Sequence, residues 1–197
     1  MFGEEMHAAG VEGVQNAKRW LDATTRADVH WIFPNEAARP RLSFKWADGR
    51  DYAFDIGGLF RGGDLANRTF LGEVKNYKTI GGQPEMYREY LAGCYRARQL
   101  NPSMADQFMW ITWNPFLVDS WAKLTTADEV RAAVIKYSKQ TLGVDPEQAE
   151  THIPAGTCEA VAESLWLLVL SSRHELLMLS LEDRKAVIAA QMDRGMR

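Results

Sequence analysis

Two apolar segments separated by a glycine-rich turn constrain the fold of this chain more than any other feature. The first runs from Tyr52 to Phe60 and the second from residue 69 to residue 77, with Arg61-Gly62-Gly63-Asp64 between them. Apolar runs of this length that are bounded by glycines are typical of strands, and a glycine turn can fold one strand antiparallel onto the next. The sequence therefore predicts a sheet in which these two segments are neighbours.

Three charged residues interrupt the two predicted strands: Asp55 in the first, Glu73 and Lys75 in the second. Because side chains alternate between the faces of a strand, Glu73 and Lys75 project side by side. Two carboxylates and one ammonium group can therefore converge from neighbouring strands. Carboxylates hold Mg²⁺ or Mn²⁺ near a phosphate, and a lysine can orient a water molecule or balance the negative charge that develops on the phosphate. The pattern indicates metal-dependent phosphodiester hydrolysis.

Asp55, followed by Glu73-Val74-Lys75, resembles the PD-(D/E)xK signature of the restriction-endonuclease-like nucleases. The resemblance implies that Asp55 and Glu73 bind the metal ion and that Lys75 is catalytic. It makes the backbone carbonyl of Val74 a further candidate ligand. It also implies an α/β fold with a central mixed sheet flanked by helices, a requirement for Mg²⁺ or Mn²⁺, and DNA as the preferred substrate, with RNA left open.

A second element of the resemblance follows the lysine. Gln83-Pro84-Glu85-Met86-Tyr87 resembles the Gln-x-x-x-Tyr element of RecB-like and lambda-exonuclease-like members. By this resemblance, Gln83 and Tyr87 support the site by holding the DNA strand or the lysine. Taken by themselves, Gln83 is also typical of a helix N-terminus and Tyr87 of a packed aromatic residue.

The predicted N-terminal helix, residues 3 to 23, departs from the family pattern. Many members carry a glutamate on this helix, whereas Val14 occupies the equivalent position here. On a helical wheel His7 shares the face of Val14, and Glu12 points roughly opposite. By resemblance to RecB-like members that use a histidine from this region, His7 is the candidate substitute ligand. Glu12 reaches the metal only if the helix is distorted or starts later.

Composition limits the remaining alternatives. A chain of 197 residues that is 46% hydrophobic can bury one sizeable core. Its net charge of −3 excludes a global basic field, so nucleic-acid binding would depend on local basic clusters or on a partner protein.

No apolar run approaches the roughly 20 residues of a membrane span, and the N-terminus lacks the pattern of a secretory signal. Cys94 and Cys158 are isolated, as expected in a reducing compartment. We expect a cytoplasmic protein with no membrane partner.

The other elements follow from turn and cap signals. The sequence predicts a strand at 29–33, a hairpin about Asp48-Gly49, a helix from the Gly81-Gly82 break to about residue 100, a strand at 108–113 and a helix from Thr125 or Thr126 to about residue 141. Residues 1–142 would form the nuclease-like core.

Residues 143–197 are predicted to form a helical C-terminal extension that packs on the core or provides an interface for an oligomer or a partner subunit. Helices are expected near 157–178 and after a capping box at Ser180, but residues 165–179 could instead form a hairpin. Five apolar side chains of this segment are candidates for the core or for an oligomer interface: Leu165, Trp166, Leu176, Leu177 and Leu179.

The sequence thus predicts a nuclease. The family resemblance further implies a role as an effector in phage defence or DNA processing. The alternative is a catalytically inactive subunit of the same fold that acts as an interaction or scaffold protein.

Overall fold

The computed structural model describes the backbone of residues 2–76 and 81–195, and the side chains of residues 10–76 and 81–194. The side chain of His7 and the last residues predicted for the strand at 69–77 lie outside these ranges. The helices are α1 (Phe2–Thr24), α2 (Arg39–Leu42), α3 (Gln83–Leu100), α4 (Ala127–Lys136), α5 (Ser138–Thr141), α6 (Pro146–His152), α7 (Thr157–Ala162) and α8 (Leu181–Gly195). The strands are β1 (Ala27–Ile32), β2 (Ser43–Lys45), β3 (Asp51–Ala53), β4 (Ile56–Phe60), β5 (Thr69–Lys75), β6 (Gln107–Thr112) and β7 (Leu165–Val169).

A five-stranded mixed sheet forms the centre of the molecule, in the order β1-β4-β5-β6-β7. β1, β4 and β5 are antiparallel neighbours, whereas β6 and β7 continue the sheet in parallel. β2 and β3 form a separate hairpin. The predicted α/β architecture, with a central mixed sheet and flanking helices, is confirmed.

The two faces of the sheet bury different helices. Phe70 and Val74 of β5 pack with Val14 and Leu21 of α1 on one face. Leu71 of β5 packs on the other face, among the buried aromatic residues of α3 and β6. Because alternate residues of a strand face opposite sides, Glu73 and Lys75 share the α3 face with Leu71.

The first apolar segment is not one continuous strand. β3 ends at Ala53 and β4 begins at Ile56, so Phe54 and Asp55 lie between two strands of different sheets. The break follows from two competing hydrogen bonds: the Phe54 amide donates to Leu42, while the Asp55 amide donates to Gly72 of β5. Asp55 therefore stands at the entrance of the central sheet.

Two predicted helices are wrong in part. The helix predicted to reach residue 141 is interrupted at Tyr137, between α4 and α5. The helix predicted near 157–178 ends at Ala162, and Leu165–Val169 instead forms β7, which pairs in parallel with β6. A short run of Leu and Val fits a buried strand as well as a helix, and pairing with the free edge of β6 selects the strand.

The alternative hairpin over 165–179 is also wrong, because β7 pairs with β6 and is followed by a short 3₁₀ helix, His174–Leu177. The C-terminal extension is therefore not purely helical.

Four of the five apolar side chains predicted for the core or an interface are exposed, whereas Leu165 is half-buried against the core. Leu176 and Leu177 are 78% and 74% exposed, and Trp166 and Leu179 are more than two fifths exposed.

The capping box at Ser180 is confirmed, since its hydroxyl accepts a hydrogen bond from the Asp183 amide at 3.1 Å. None of the helices within the described residues is long and apolar enough to cross a membrane.

Candidate active site

The backbone fixes Asp55 between two strands of the sheet. Its amide donates to the carbonyl of Gly72 at 2.9 Å, and its carbonyl accepts from the amide of Phe33 at 2.8 Å. β4 and β5 pair Ile56 with Gly72, and the Asp55 amide binds the carbonyl of the same glycine, so Asp55 lies beside Gly72, the chain neighbour of Glu73.

The Asp55 carboxylate extends the ladder beyond the end of β4. Its Oδ2 accepts a hydrogen bond from the Val74 amide at 2.8 Å. The N–H and C=O groups of one strand residue point to the same edge, so the Val74 carbonyl also points toward the side on which Asp55 lies. Two candidate oxygen donors are thus placed at the same strand end.

Glu73 and Lys75 form a close ion pair on the α3 face. The distance from Lys75 Nζ to Glu73 Oε1 is 2.6 Å, and the two side chains are only 16% and 12% exposed. The Lys75 ammonium also lies 5.9 Å from the centre of the Trp110 ring. The pair is therefore held in an apolar environment, where charge interactions are stronger than in water.

A tyrosine completes the surroundings of Glu73. The Tyr52 hydroxyl donates to Glu73 Oε2 at 3.4 Å. Its ring packs against Phe44, Trp46 and Phe54, which fixes the direction of the hydroxyl. Each oxygen of the Glu73 carboxylate thus has its own donor.

Burial raises the pKa values of both carboxyl groups at the site. Burial raises the pKa of Glu73 to about 8, and repulsion by Asp55 acts in the same direction. The charge of Lys75 and the hydrogen bonds from Lys75 and Tyr52 lower this pKa but do not cancel the rise. Burial also raises the pKa of Asp55, although Lys75 and the Val74 amide oppose the shift. Two buried carboxylates that repel each other favour the uptake of a proton or of a further cation.

The donor set fits a small, hard cation. Within residues 10–76 and 81–194, no group of three or more His, Cys, Asp or Glu side chains is placed to hold a metal ion. The oxygen donors that the described site offers are the carboxylates of Asp55 and Glu73 and the carbonyl of Val74. Mg²⁺ usually binds through one or two carboxylates and keeps several water molecules, whereas zinc sites need three or four protein side chains.

Gln83 lies buried beside the strand end that carries Lys75. Its Oε1 accepts a hydrogen bond from the Thr112 hydroxyl at 2.9 Å, and its Nε2 donates to the Asn114 carbonyl at 3.3 Å. Thr112 of β6 is the register partner of Lys75 of β5. Gln83 therefore ties the start of α3 to the end of β6, next to the candidate site.

Tyr87 belongs to the core beneath the site. Its ring packs against Trp110 and Phe116, and its hydroxyl donates to the carbonyl of Leu124 at 2.7 Å. The hydroxyl thus holds the segment before α4. The predicted roles of Gln83 and Tyr87 at the site stay predictions.

Helix α1 supplies the other face of the sheet. Val14 is buried there with Val74, and Glu12 is exposed. Gly13 lies so close to the end of β5 that an added Cβ would stand 2.5 Å from the Cβ of Asn76. The helix therefore needs a glycine at this position to approach the strand.

Sequence reasoning missed Tyr52, which was assigned only to an apolar strand. A signal was present in Gly93, a glycine in the interior of α3, where it costs about 1 kcal/mol relative to alanine. A Cβ at Gly93 would stand 3.0 Å from Cζ of Tyr52. The glycine makes room for the tyrosine that reaches Glu73.

Comparisons with known proteins gave two partial similarities. No family model matches the chain. The chain is 40% identical over 63 residues to a 2'-N-acetylparomamine deacetylase from Niallia circulans, in a match covering 29% of this chain and 23% of that protein. Among solved structures, it is similar to a SAVED/CARF-domain containing receptor, Cap4, from Moraxella osloensis, with a TM-score of 0.36 and 9% identity. That match covers 94% of this chain and 36% of the receptor chain. This chain thus spans about a quarter of the curated relative and about a third of the receptor.

Proposed function

We propose that this chain is a metal-dependent nuclease of the PD-(D/E)xK type that hydrolyses phosphodiester bonds, with DNA as the preferred substrate. One observation carries the proposal: the Asp55 carboxylate accepts a hydrogen bond from the amide of Val74, which lies between Glu73 and Lys75 in the chain, and Glu73 lies 2.6 Å from Lys75 in a buried environment. Burying two carboxylates side by side destabilises a fold, so such a pair is typical of a functional site.

The order of elements supports the same proposal. A long helix precedes three antiparallel strands, β1, β4 and β5, and α3 then leads to the parallel strand β6. This order resembles the core of the restriction-endonuclease-like family. The acidic residues lie where the second and third of these antiparallel strands meet.

Each residue of the cluster would have a distinct role. Asp55, Glu73 and the Val74 carbonyl would hold Mg²⁺ or Mn²⁺, which when bound supplies a water of lowered pKa and neutralises phosphate charge. Lys75 would donate a hydrogen bond from Nζ to the attacking water or to a phosphate oxygen. Tyr52 would keep the Glu73 carboxylate in one orientation through its hydroxyl.

The biological role is proposed more broadly, as an effector in phage defence or DNA processing. The sequence contains no evident zinc finger or helix-turn-helix, so sequence readout would come from assembly or from another subunit. The exposed leucines near Leu176 are suited to such contacts, because large exposed apolar side chains often mark interaction sites.

The test is a cleavage assay on the intact chain. Plasmid, linear duplex, single-stranded DNA and RNA would each be incubated in Mg²⁺, Mn²⁺ or EDTA, in parallel with Lys75→Ala and Asp55→Ala. Asp64→Asn and Lys123→Ala change exposed residues of the same types and serve as matched controls. We expect cleavage that requires the metal, is abolished by both site substitutions and is retained by both controls. Cleavage that survives Lys75→Ala would contradict the assignment.

A catalytically inactive subunit of the same fold is the second candidate. It is favoured by Val14, which occupies the helix position where many members of the family carry a glutamate, and by the net charge of −3. In that case all four substrates would remain intact in either metal ion, and the substitutions would alter complex formation or stability instead.

A further inference from the structure

A cavity of about 220 Å³ lies at the opposite end of the sheet from Asp55. Asp55 directly precedes β4 and Arg61 directly follows it, so the two sites are separated by the length of that strand. The cavity lies between the C-terminal end of α1 and the first half of α8, and three arginines contribute to its wall: Arg26, Arg61 and Arg184.

The strand register brings the first two arginines together. β1 and β4 pair Ala27 with Phe60, so Arg26 and Arg61 leave the sheet at the same edge. The amide of Arg61 donates to the carbonyl of Arg26 at 2.8 Å. The guanidinium of Arg26 lies over Gly63, where an added Cβ would stand 1.8 Å from Nη1.

The acid that lines the cavity, Asp22, binds mainly to groups outside the three arginines. One carboxylate oxygen of Asp22 accepts from the Val29 amide at 2.9 Å, and the other accepts from Lys18 at 2.8 Å. Arg184 Nη2 is 4.0 Å from Asp22, and in the described part of the chain the buried Nε of Arg184 has no hydrogen-bond partner.

The two other arginines differ in their ion pairs. Arg61 is held by Asp28 at 2.5 Å, which orients its guanidinium. No acidic side chain among the described residues forms an ion pair with Arg26. Arg26, which has no ion pair, and Arg184, whose ion pair with Asp22 is long, are therefore the cations best placed to accept a ligand.

The rest of the wall is compatible with an organic anion. The Thr24 and Thr25 hydroxyls donate to the Trp20 and Leu21 carbonyls. Two carbonyl groups at the negative, C-terminal end of α1 thus already have hydrogen-bond donors. The opposite side is apolar and consists of Leu179, Val187 and Ile188. The volume is slightly below the usual range of small-molecule pockets, which indicates a small ligand.

We propose that this cavity binds a small phosphate-bearing molecule, such as a sugar phosphate. The forked guanidinium groups of Arg26 and Arg184 would bind the phosphoryl oxygens, because planar guanidinium donors match phosphate geometry. The apolar side of the cavity would contact the organic part. The site is independent of the nuclease proposal, since it shares no residue with the Asp55 cluster.

Isothermal titration calorimetry of the intact chain with ribose 5-phosphate, orthophosphate and ribose tests the proposal. Arg26→Ala and Arg184→Ala should each weaken binding about tenfold or more, which corresponds to the loss of a charged hydrogen bond. Arg194→Ala changes an exposed arginine at the far end of α8 and is the matched control. Arg26 is exposed, so its removal leaves the core intact and keeps the test valid even if Arg184→Ala disturbs α8.

The outcomes separate the sources of the phosphoryl group. Tighter binding of ribose 5-phosphate than of orthophosphate supports an organic phosphate, and equal binding of the two supports free phosphate as the ligand. No heat with either compound, binding of ribose as tight as that of its phosphate, or equal binding by both arginine variants and the intact chain would overturn the proposal. Lys75→Ala should bind like the intact chain, so a failure of the nuclease proposal leaves this one unaffected.

Discussion

Replacement of Asp55 by asparagine should stabilise the protein, and the gain should grow as the pH rises. Asparagine keeps an oxygen that can accept the Val74 amide, which now donates to Asp55 at 2.8 Å. It removes one of the two negative charges that repel each other in the buried pair. The Lys75 ammonium group then balances the charge of only one carboxylate, that of Glu73.

The direction with pH follows from the raised pKa values. Burial and repulsion by Asp55 raise the pKa of Glu73 from 4.5 to about 8, and burial also raises that of Asp55. Between about pH 4.5 and pH 8 the unfolded chain loses these protons more readily than the folded chain, so the free energy of unfolding falls as the pH rises. The intact chain therefore carries the full penalty only near pH 8.

The size of the effect is set by the same shift. One pKa unit corresponds to about 1.4 kcal/mol, so the shift at Glu73 represents a ceiling of about 5 kcal/mol, of which repulsion by Asp55 is the second contribution after burial. We expect Asp55→Asn to gain about 1–2 kcal/mol at pH 8, a rise in Tm of about 2–8 °C for a chain of this length.

Thermal unfolding in EDTA at pH 5, 6, 7 and 8 provides the measurement. Asp64→Asn removes an exposed carboxylate and should stay within about 0.5 kcal/mol of the intact chain at every pH. An Asp55→Asn protein that is less stable than the intact chain at pH 8, or a difference that does not change with pH, would refute the reasoning.

Three further substitutions test the neighbours of the site. Tyr52→Phe keeps the ring but removes the hydrogen bond to Glu73, so the cleavage rate should fall about tenfold with little change in Tm; an unchanged rate would exclude a positioning role. Gly93→Ala places a methyl group 3.0 Å from the Tyr52 ring, and an overpacking cost of about 1–3 kcal/mol against a helix-propensity gain of about 1 kcal/mol should lower the free energy of unfolding in urea by up to about 2 kcal/mol, whereas a stabilised variant would show that the contact is loose. Thr112→Val leaves the buried Gln83 oxygen without its donor and should cost about 1–3 kcal/mol in the same assay, and a neutral result would mean that water replaces the hydroxyl.

The strands about Asp55 and Glu73 were predictable because their signals are local. The apolar segments about Asp55 and Glu73 are bounded by glycines, and strand alternation places Glu73 and Lys75 together without knowledge of the rest of the chain. The break at Phe54 and Asp55 was not predictable, because it depends on hydrogen bonds to Leu42 and Gly72, which are distant in sequence.

The C-terminal segment shows where sequence patterns fail. Leu165–Val169 has no periodicity that separates a strand from a helix, and only the free edge of β6 determines its structure. Leu176 and Leu177 are apolar yet exposed, since no other element of the described chain covers them. Tyr52 was missed because its role depends on the space left by Gly93 on another element.

Binding of Mn²⁺ tests the metal site at Asp55 and Glu73 most directly. A Mn²⁺ titration followed by electron paramagnetic resonance would compare the intact chain with Asp55→Asn, Glu73→Gln and the control Asp64→Asn, each with and without a single-stranded oligonucleotide. We expect the intact chain and the control to bind Mn²⁺, and both site variants to bind it at least about tenfold more weakly. Equal binding by all four proteins, or no binding by the intact chain even with the oligonucleotide, would contradict a metal-dependent site at these residues.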